Sequence, residues 1–152
     1  MRMSAILCKD TGWLFSEEAF LIYAACMYRP SFEGYRARMK QYISSPSTKV
    51  FVWEERGEKT GIIVLGQSGP AAQILGIAVS DAHRRRGTGR RMIHQVMASE
   101  RLERIEAQTD DDAIGFYRRC GFDEERMVID YADGPAVRYN CSLHINVQSF
   151  KF

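Results

Sequence analysis

Residues 74–97 constrain this chain more than any other stretch. The apolar run Ile74-Leu75-Gly76-Ile77-Ala78-Val79 reads as a buried strand. The run Met92-Ile93-His94-Gln95-Val96-Met97 supplies the core face of a helix. Between them stands Arg84-Arg85-Arg86-Gly87-Thr88-Gly89-Arg90-Arg91. A strand that enters a helix through such a loop aims several unpaired N–H groups and the positive helix end at one point. A phosphate or diphosphate is the natural occupant of that point. Gly87 and Gly89 let the backbone turn tightly and approach a ligand with no Cβ in the way. It is not a Walker loop, because Gly89 is followed by Arg90 and Arg91 rather than Lys and Ser or Thr. The three-glycine spacing of a dinucleotide fingerprint is missing too. Taken alone, the motif also fits a solvated basic loop ahead of an ordinary helix.

Charge narrows the choice. The formal net charge is +2, and five arginines fall within residues 84–91, so the rest of the chain is net negative. A local positive patch suits a compact anionic ligand better than a nucleic-acid track, and no further basic or aromatic stripe is present. At 152 residues, with 45% hydrophobic and 26% charged residues, the chain is expected to form one domain over 1–152, with 143–152 as a C-terminal tail. Cys8, Cys26, Cys120 and Cys141 show no C-x-x-C spacing and sit among apolar neighbours. They read as buried free thiols, and no metal site is expected. No signal-peptide pattern or membrane-length apolar segment is seen, so a cytoplasmic protein is expected, with no nucleic acid or membrane as partner.

A second motif lies some twenty residues beyond the loop. Ile105, Ala107 and Thr109 alternate as in a strand. Asp110, Asp111 and Asp112 supply a helix N-cap and an acidic first turn. Ala113, Phe116, Tyr117 and Cys120 form a helical stripe, and Gly121 sits where a C′ glycine belongs. Two ordered motifs now stand together: Val79-Ser80-Asp81-Ala82-His83 leading into Arg84-x-x-Gly87-x-Gly89, and Ala113-Ile114-Gly115-Phe116-Tyr117-Arg118-Arg119-Cys120-Gly121-Phe122. Together they resemble the acetyl-CoA loop and the second signature of the GNAT N-acetyltransferases. The specific motifs lie between Ile74 and Phe122.

Elsewhere the pattern gives a strand at Ser4–Cys8, a helix from Ser16 to about Met27 that is apolar nearly all round, and a helix with Tyr35, Met39, Tyr42 and Ile43 on one face. Lys49–Glu55 and Thr60–Leu65 form a hairpin, and Gly69-Pro70 turns into the strand ending at Val79. Met127–Tyr131 and Ala136–Leu143 read as strands, followed by a weakly alternating tail that could extend a strand, cover an edge or contact a partner subunit. The order β-α-α-β-β-β-α-β-α-β-β predicts an α/β fold: a central mixed, mostly antiparallel sheet of about seven strands with four helices. It is also the order of the GNAT fold, in which the strand before the loop splays from its neighbour to admit the cofactor arm.

The resemblance implies acetyl-CoA as acyl donor, an amine acceptor and no metal. The loop residues Arg84, Arg85, Arg86, Gly87, Thr88, Gly89 and Arg90 are expected to hold the diphosphate, chiefly through backbone N–H groups. Backbone amides of Ile77, Ala78 and Val79, chiefly Val79, are expected to polarise the thioester carbonyl. Tyr117 matches the family's catalytic tyrosine, which protonates the leaving thiolate. Asp110 stands where many members carry Asn, and is expected to contact the cofactor weakly or to cap its helix. Gln73 stands where several relatives carry a catalytic Glu, which leaves Glu106 acting through water, or His83, as candidate bases. Aromatic candidates for the acceptor side are Tyr28, Phe32, Tyr35, Trp53, Tyr131 and Tyr139. A non-catalytic acyl-CoA-binding domain on the same fold is the alternative, and a homodimer is compatible with the apolar tail.

Overall fold

The computed structural model describes residues 6–8 and 10–145. The chain runs β1 (Ile6–Cys8), α1 (Thr11–Leu14), α2 (Glu17–Tyr23), α3 (Phe32–Ser44), β2 (Thr48–Glu55), β3 (Glu58–Ser68), β4 (Ala71–Val79), α4 (Thr88–Ser99), β5 (Arg104–Thr109), α5 (Ile114–Arg119), β6 (Asp123–Tyr131) and β7 (Gly134–His144). The seven strands form one sheet in the order β1-β2-β3-β4-β5-β7-β6. Only β4 and β5 pair in parallel; every other neighbour is antiparallel.

Helices cover both faces. Ala19, Ile22, Tyr23, Tyr35 and Met39 pack over Val50, Val52, Ile62 and Val64 on one side. Met92, Ile93, Val96, Met97, Ile114 and Tyr117 pack over Phe51, Trp53, Ile63, Leu65, Ile105 and Ala107 on the other. Successive residues of β2 and β3 therefore serve opposite cores, which is why both strands read as unbroken apolar runs.

Differences from the sequence expectation have local causes. An added one-turn helix, α1, is capped by Asp10, whose carboxylate accepts from the Trp13 N–H at 3.1 Å. The described helices therefore number five, not four. α2 starts at the Ser16 cap as expected, but stops at Tyr23 and tightens into a 3-10 turn at Ala24–Cys26. It is not buried all round, since Leu21 is 67% exposed. Ile43 likewise sits at the surface edge, 37% exposed. The expected strand residues Ser4 and Ala5, and tail residues 146–152, lie outside the described residues. The described start of the tail returns to the sheet, with the Ile145 N–H donating to the Glu103 carbonyl at 2.9 Å.

Candidate active site

The parallel pair parts halfway. β4 and β5 are in register only from Ala71–Ile74 against Arg104–Ala107, although β4 continues to Val79 and β5 to Thr109. Beyond Ile74 the two strands diverge and leave a fork. Opposite β3, Gly76 pairs with Val64 and Ile74 with Leu65, so Leu75 is the extra residue of a bulge. That extra residue shifts the alternation by one. Ala72 and Ile74 face the α4–α5 core before it, and Ile77 and Val79 face the same core after it, half-buried.

The free edge of β4 follows from its pairing with β3. The Ser80 N–H donates to the Thr60 carbonyl at 2.8 Å, so alternation directs Ala78 toward β3 and presents Ile77 and Val79 backbone groups to the fork. The Val79 carbonyl is met there by Arg84 Nε at 3.1 Å. Ala78, expected among the lining amides, is turned away from the fork, with its side chain in the α2–α3 core.

At the mouth of the fork, Asp81–His83 form a short 3-10 turn and Arg85 adopts a φ of 62°. Gly87, at a φ of 75°, is the N-cap of α4, and no side chain caps the helix. The first intrahelical bond runs from the Arg91 N–H to the Gly87 carbonyl at 3.0 Å, so the amides of Thr88, Gly89 and Arg90 precede the ladder and point outward. Arg85, Arg86 and Arg90 are exposed around them. Arg84 is drawn back to Asp81 at 3.0 Å. The Thr88 side chain turns inward, 2% exposed, so what it offers at the mouth is its backbone. Gly89 is required for packing: a Cβ there would lie 2.8 Å from Phe116 Cε1. Its missing side chain lets α4 sit close against Phe116 of α5.

Sequence reasoning missed what anchors this loop. Glu55, at the end of β2, accepts from Trp53 Nε1 at 3.0 Å and from Arg91 Nη2 at 3.2 Å, and Arg91 Nη1 donates to the Arg86 carbonyl at 2.8 Å. Burial pulls the Glu55 carboxyl upward, but hydrogen bonds from Trp53 and Arg91, with the charges of Arg91 and His83, hold it below the usual carboxylate value. No local pattern marks a strand-end Glu 36 residues from its partner. His83 is a turn residue, with Nδ1 2.7 Å from Ser80 Oγ and Nε2 3.5 Å from Glu58.

α5 closes the other side. Asp110 accepts from the Asp112 and Ala113 N–H groups, each at 3.1 Å, and caps the turn ahead of the helix, which begins at Ile114. Ala113 is exposed, so the buried stripe is Ile114, Tyr117 and Cys120. At the far end the Gly121 N–H bonds to the Arg118 carbonyl and the Phe122 N–H to the Tyr117 carbonyl, a Schellman cap with Gly121 at a φ of 87°. Phe122 then stacks edge-on against Tyr117 at 5.2 Å, and Phe116 does so at 5.1 Å. Tyr117 is 7% exposed, and burial pushes its phenol far above the ordinary tyrosine value.

Other candidates separate by face. Glu106 pairs with Gln73 across β4 and β5, but both lie on the sheet face away from Tyr117, and Glu106 is bonded to Arg104. They border a polar cavity of about 470 Å³ with Gln108, Asp123, Asn140 and Ser142. Tyr35 and Trp53 are core residues, and the Tyr139 hydroxyl donates to Asp111 at 2.7 Å. Tyr28 and Tyr131 are exposed, and Phe32 is at the surface edge. Cys120 and Cys141 are buried as expected, whereas Cys26 is exposed. Among the described residues, no three His, Cys, Asp or Glu side chains gather to hold a metal, and no helix is long and apolar enough to cross a membrane.

Known proteins share this layout. The family model of the acetyltransferase (GNAT) domain matches residues 46–124. The ribosomal-protein-S18-alanine N-acetyltransferase of Escherichia coli superposes with a TM-score of 0.67 at 16% identity, over 99% of this chain and 97% of that one. A GNAT-family acetyltransferase of Elizabethkingia anophelis with acetyl-CoA bound gives 0.65 at 14%, over 94% and 98%. A dodecameric spermidine N-acetyltransferase of Vibrio cholerae gives 0.68 at 16%, over 98% and 96%. No curated protein matches the sequence.

Proposed function

The chain belongs to the GNAT acetyltransferases, and on that premise we propose that it moves an acetyl group from acetyl-CoA to an amine of a small molecule, peptide or protein, by direct attack of the amine on the thioester. The observation that carries this reading is the fork. One strand edge presents the amides of Ile77 and Val79, and leads to three uncapped amides at the start of α4. Acetyl-CoA supplies an activated acetyl thioester; the chain supplies what surrounds it.

The residues fit that cosubstrate by their chemistry. The amides of Thr88, Gly89 and Arg90 answer a diphosphate, and Arg85, Arg86 and Arg90 add positive charge around it. Arg84 contributes by holding the Val79 carbonyl, which fixes the strand end. Ile77 and Val79 side chains line the arm's path, and the Val79 N–H is the donor for a carbonyl oxygen that gains charge in transfer. Asp110 serves by fixing the turn that starts α5, since both its bonds are to backbone. Tyr117 holds a proton for the leaving sulfur. Full transfer to a thiolate whose thiol titrates near about 8.5 is uphill for so weakly acidic a phenol, so the hydroxyl acts first as a hydrogen-bond donor.

Similar folds act on acceptors as different as a ribosomal-protein alanine and spermidine, so the acceptor is set by side chains rather than by the fold. The reading is tested by calorimetric titration with acetyl-CoA beside ATP and NAD, followed by CoA release with a panel of amines. Binding of acetyl-CoA alone, with amine-dependent thiol release, is expected. A folded protein that does not bind acetyl-CoA refutes it.

A further inference from the structure

Strand β6 closes one end of the sheet, and among the described residues it pairs with β7 alone. Which of its backbone groups are left over follows from the far side of β7. The Ile145 N–H donates to the Glu103 carbonyl at 2.9 Å, so Ile145 faces β5, and alternation along β7 sends Leu143, Cys141, Tyr139 and Val137 the same way. Ser142, Asn140, Arg138 and Ala136 therefore bond to β6, where they oppose Asp123, Glu125, Met127 and Ile129. The amides and carbonyls of Glu124, Arg126, Val128 and Asp130 point outward along the edge. β6 has no proline and no bulge against β7, two devices that keep a free edge from pairing. Val128 is 59% and Tyr131 49% exposed on it.

We propose that this edge pairs with its own copy: the β6 strands of two chains meet antiparallel about a two-fold axis at Val128 and join the two sheets into one. Charge selects the register. With Val128 opposite Val128, Arg126 of each copy faces Asp130 of the other, and Met127 faces Ile129. An axis at Met127 sets Glu124 against Asp130, and one at Arg126 sets two guanidinium groups together. An axis at Ile129 sets Val128 against Asp130. Of these, the axis at Val128 alone gives opposite charges to both ion pairs. Val128 opposes Val137, which packs on the α4–α5 core, so Arg126, Val128 and Asp130 share the α5 face, where the two ion pairs flank the Val128 contact. Met127, Ile129 and Tyr131 join apolar surface on the other face. Glu124 stays out of the exchange, held by Arg118 at 2.7 Å.

The backbone supplies the remainder. In this register the outward residues Arg126, Val128 and Asp130 stand opposite outward residues of the other copy, and each such pair exchanges both N–H···O bonds. A contact confined to two strand edges is smaller than the interface of an obligate dimer, so monomer and dimer exchange over roughly 1–100 μM. β7 and β5 separate this edge from the fork, so the surface does not depend on the acetyl-CoA reading.

The experiment is sedimentation velocity on the full chain over a concentration series. The wild type is expected to pass from monomer to dimer across that range. Arg126→Asp and Asp130→Arg each turn both ion pairs into like-charge contacts, and each should raise the dissociation constant about tenfold or more. Both residues are exposed, so the fold should tolerate either change. Mixed together, the two variants put opposite charges back at both pairs, and the mixture should dimerise as tightly as the wild type. Val128→Pro removes an outward N–H and no bond to β7, so it should lose the dimer with an unchanged far-UV spectrum. A wild type that stays monomeric up to about 1 mM overturns the inference. So does a dimer that both charge variants leave unchanged, or a mixture no tighter than its components.

Discussion

Gly76→Ala tests the geometry of the fork directly. A Cβ built on Gly76 lies 1.9 Å from the Tyr23 hydroxyl oxygen, 2.6 Å from Cζ and 3.0 Å from Cε1. Ordinary contact between such atoms needs about 3.4 Å or more, so ring or strand must move by about 1.5 Å. The ring has nowhere to go: Tyr23 is 2% exposed and packs on Tyr35 at 5.8 Å between centroids. Overpacking of this kind costs about 1–3 kcal/mol. For a chain of this length that lowers Tm by roughly 4–8 °C at the middle of the range. The strain falls on the residue just before Ile77, so acetyl-CoA affinity should fall with it. Tyr23→Phe removes the nearest atom, and in the double variant the next contact is the 2.6 Å one, so part of the cost returns. Denaturant melts of the four proteins should show a coupling of at least about 0.5 kcal/mol. An unchanged Tm for Gly76→Ala, or strict additivity, would refute the claim that Tyr23 rests on the bare backbone at the fork.

Three further outcomes are expected. Tyr117→Phe should leave acetyl-CoA affinity nearly intact in calorimetry and lower amine-dependent kcat; an unchanged kcat returns Tyr117 to a packing role. Glu55→Gln should lower Tm at neutral pH. Because the Glu55 carboxyl is held below its ordinary value, its stabilisation is present above the unfolded pKa and lost as pH falls through the folded one. The Tm gap to wild type should therefore shrink between about pH 6 and about pH 3, and a constant gap would rule out the ionised Glu55. Gly87→Ala must hold alanine at a φ of 75°, which costs about 1–2 kcal/mol. Its melts should show that loss, with weaker acetyl-CoA binding; a variant as stable as wild type would mean that the α4 cap is not left-handed in solution.

Much of the local geometry of the candidate site was legible because its signals are local. The glycine loop, the helix face of Met92, Ile93, Val96 and Met97, and the Gly121 cap each sit within a few residues of the feature they specify. What the pattern blurred was non-local. The two-sided burial of β2 and β3 hid which residues serve which core. The inward turn of Thr88 depends on Glu55 and His83, distant or differently placed in sequence. The use of Gly89 depends on Phe116, which belongs to another helix. Cys26 reads as one more buried thiol because its neighbours Ala24 and Ala25 are apolar, and nothing nearby reveals that α2 stops at Tyr23.

One inserted residue links these features. With no bulge at Leu75, the alternation begun at Ala72 and Ile74 would send Gly76 and Ala78 toward the α4–α5 core, and Ile77 and Val79 toward the early helices. The bulge reverses that and bends β4, and bulged strands twist away from a neighbour they were following. Pairing with β5 stops at Ile74 for the same reason. The parting strands then expose the amides of Ile77 and Val79. Leu75 is 40% exposed, so its side chain adds little to the core. Its place in the count of residues along β4 gives the strand both a buried face and a free edge. Deleting Leu75 should therefore abolish acetyl-CoA binding far out of proportion to the apolar contact removed. A deletion variant that folds and binds as wild type would separate the fork from the bulge.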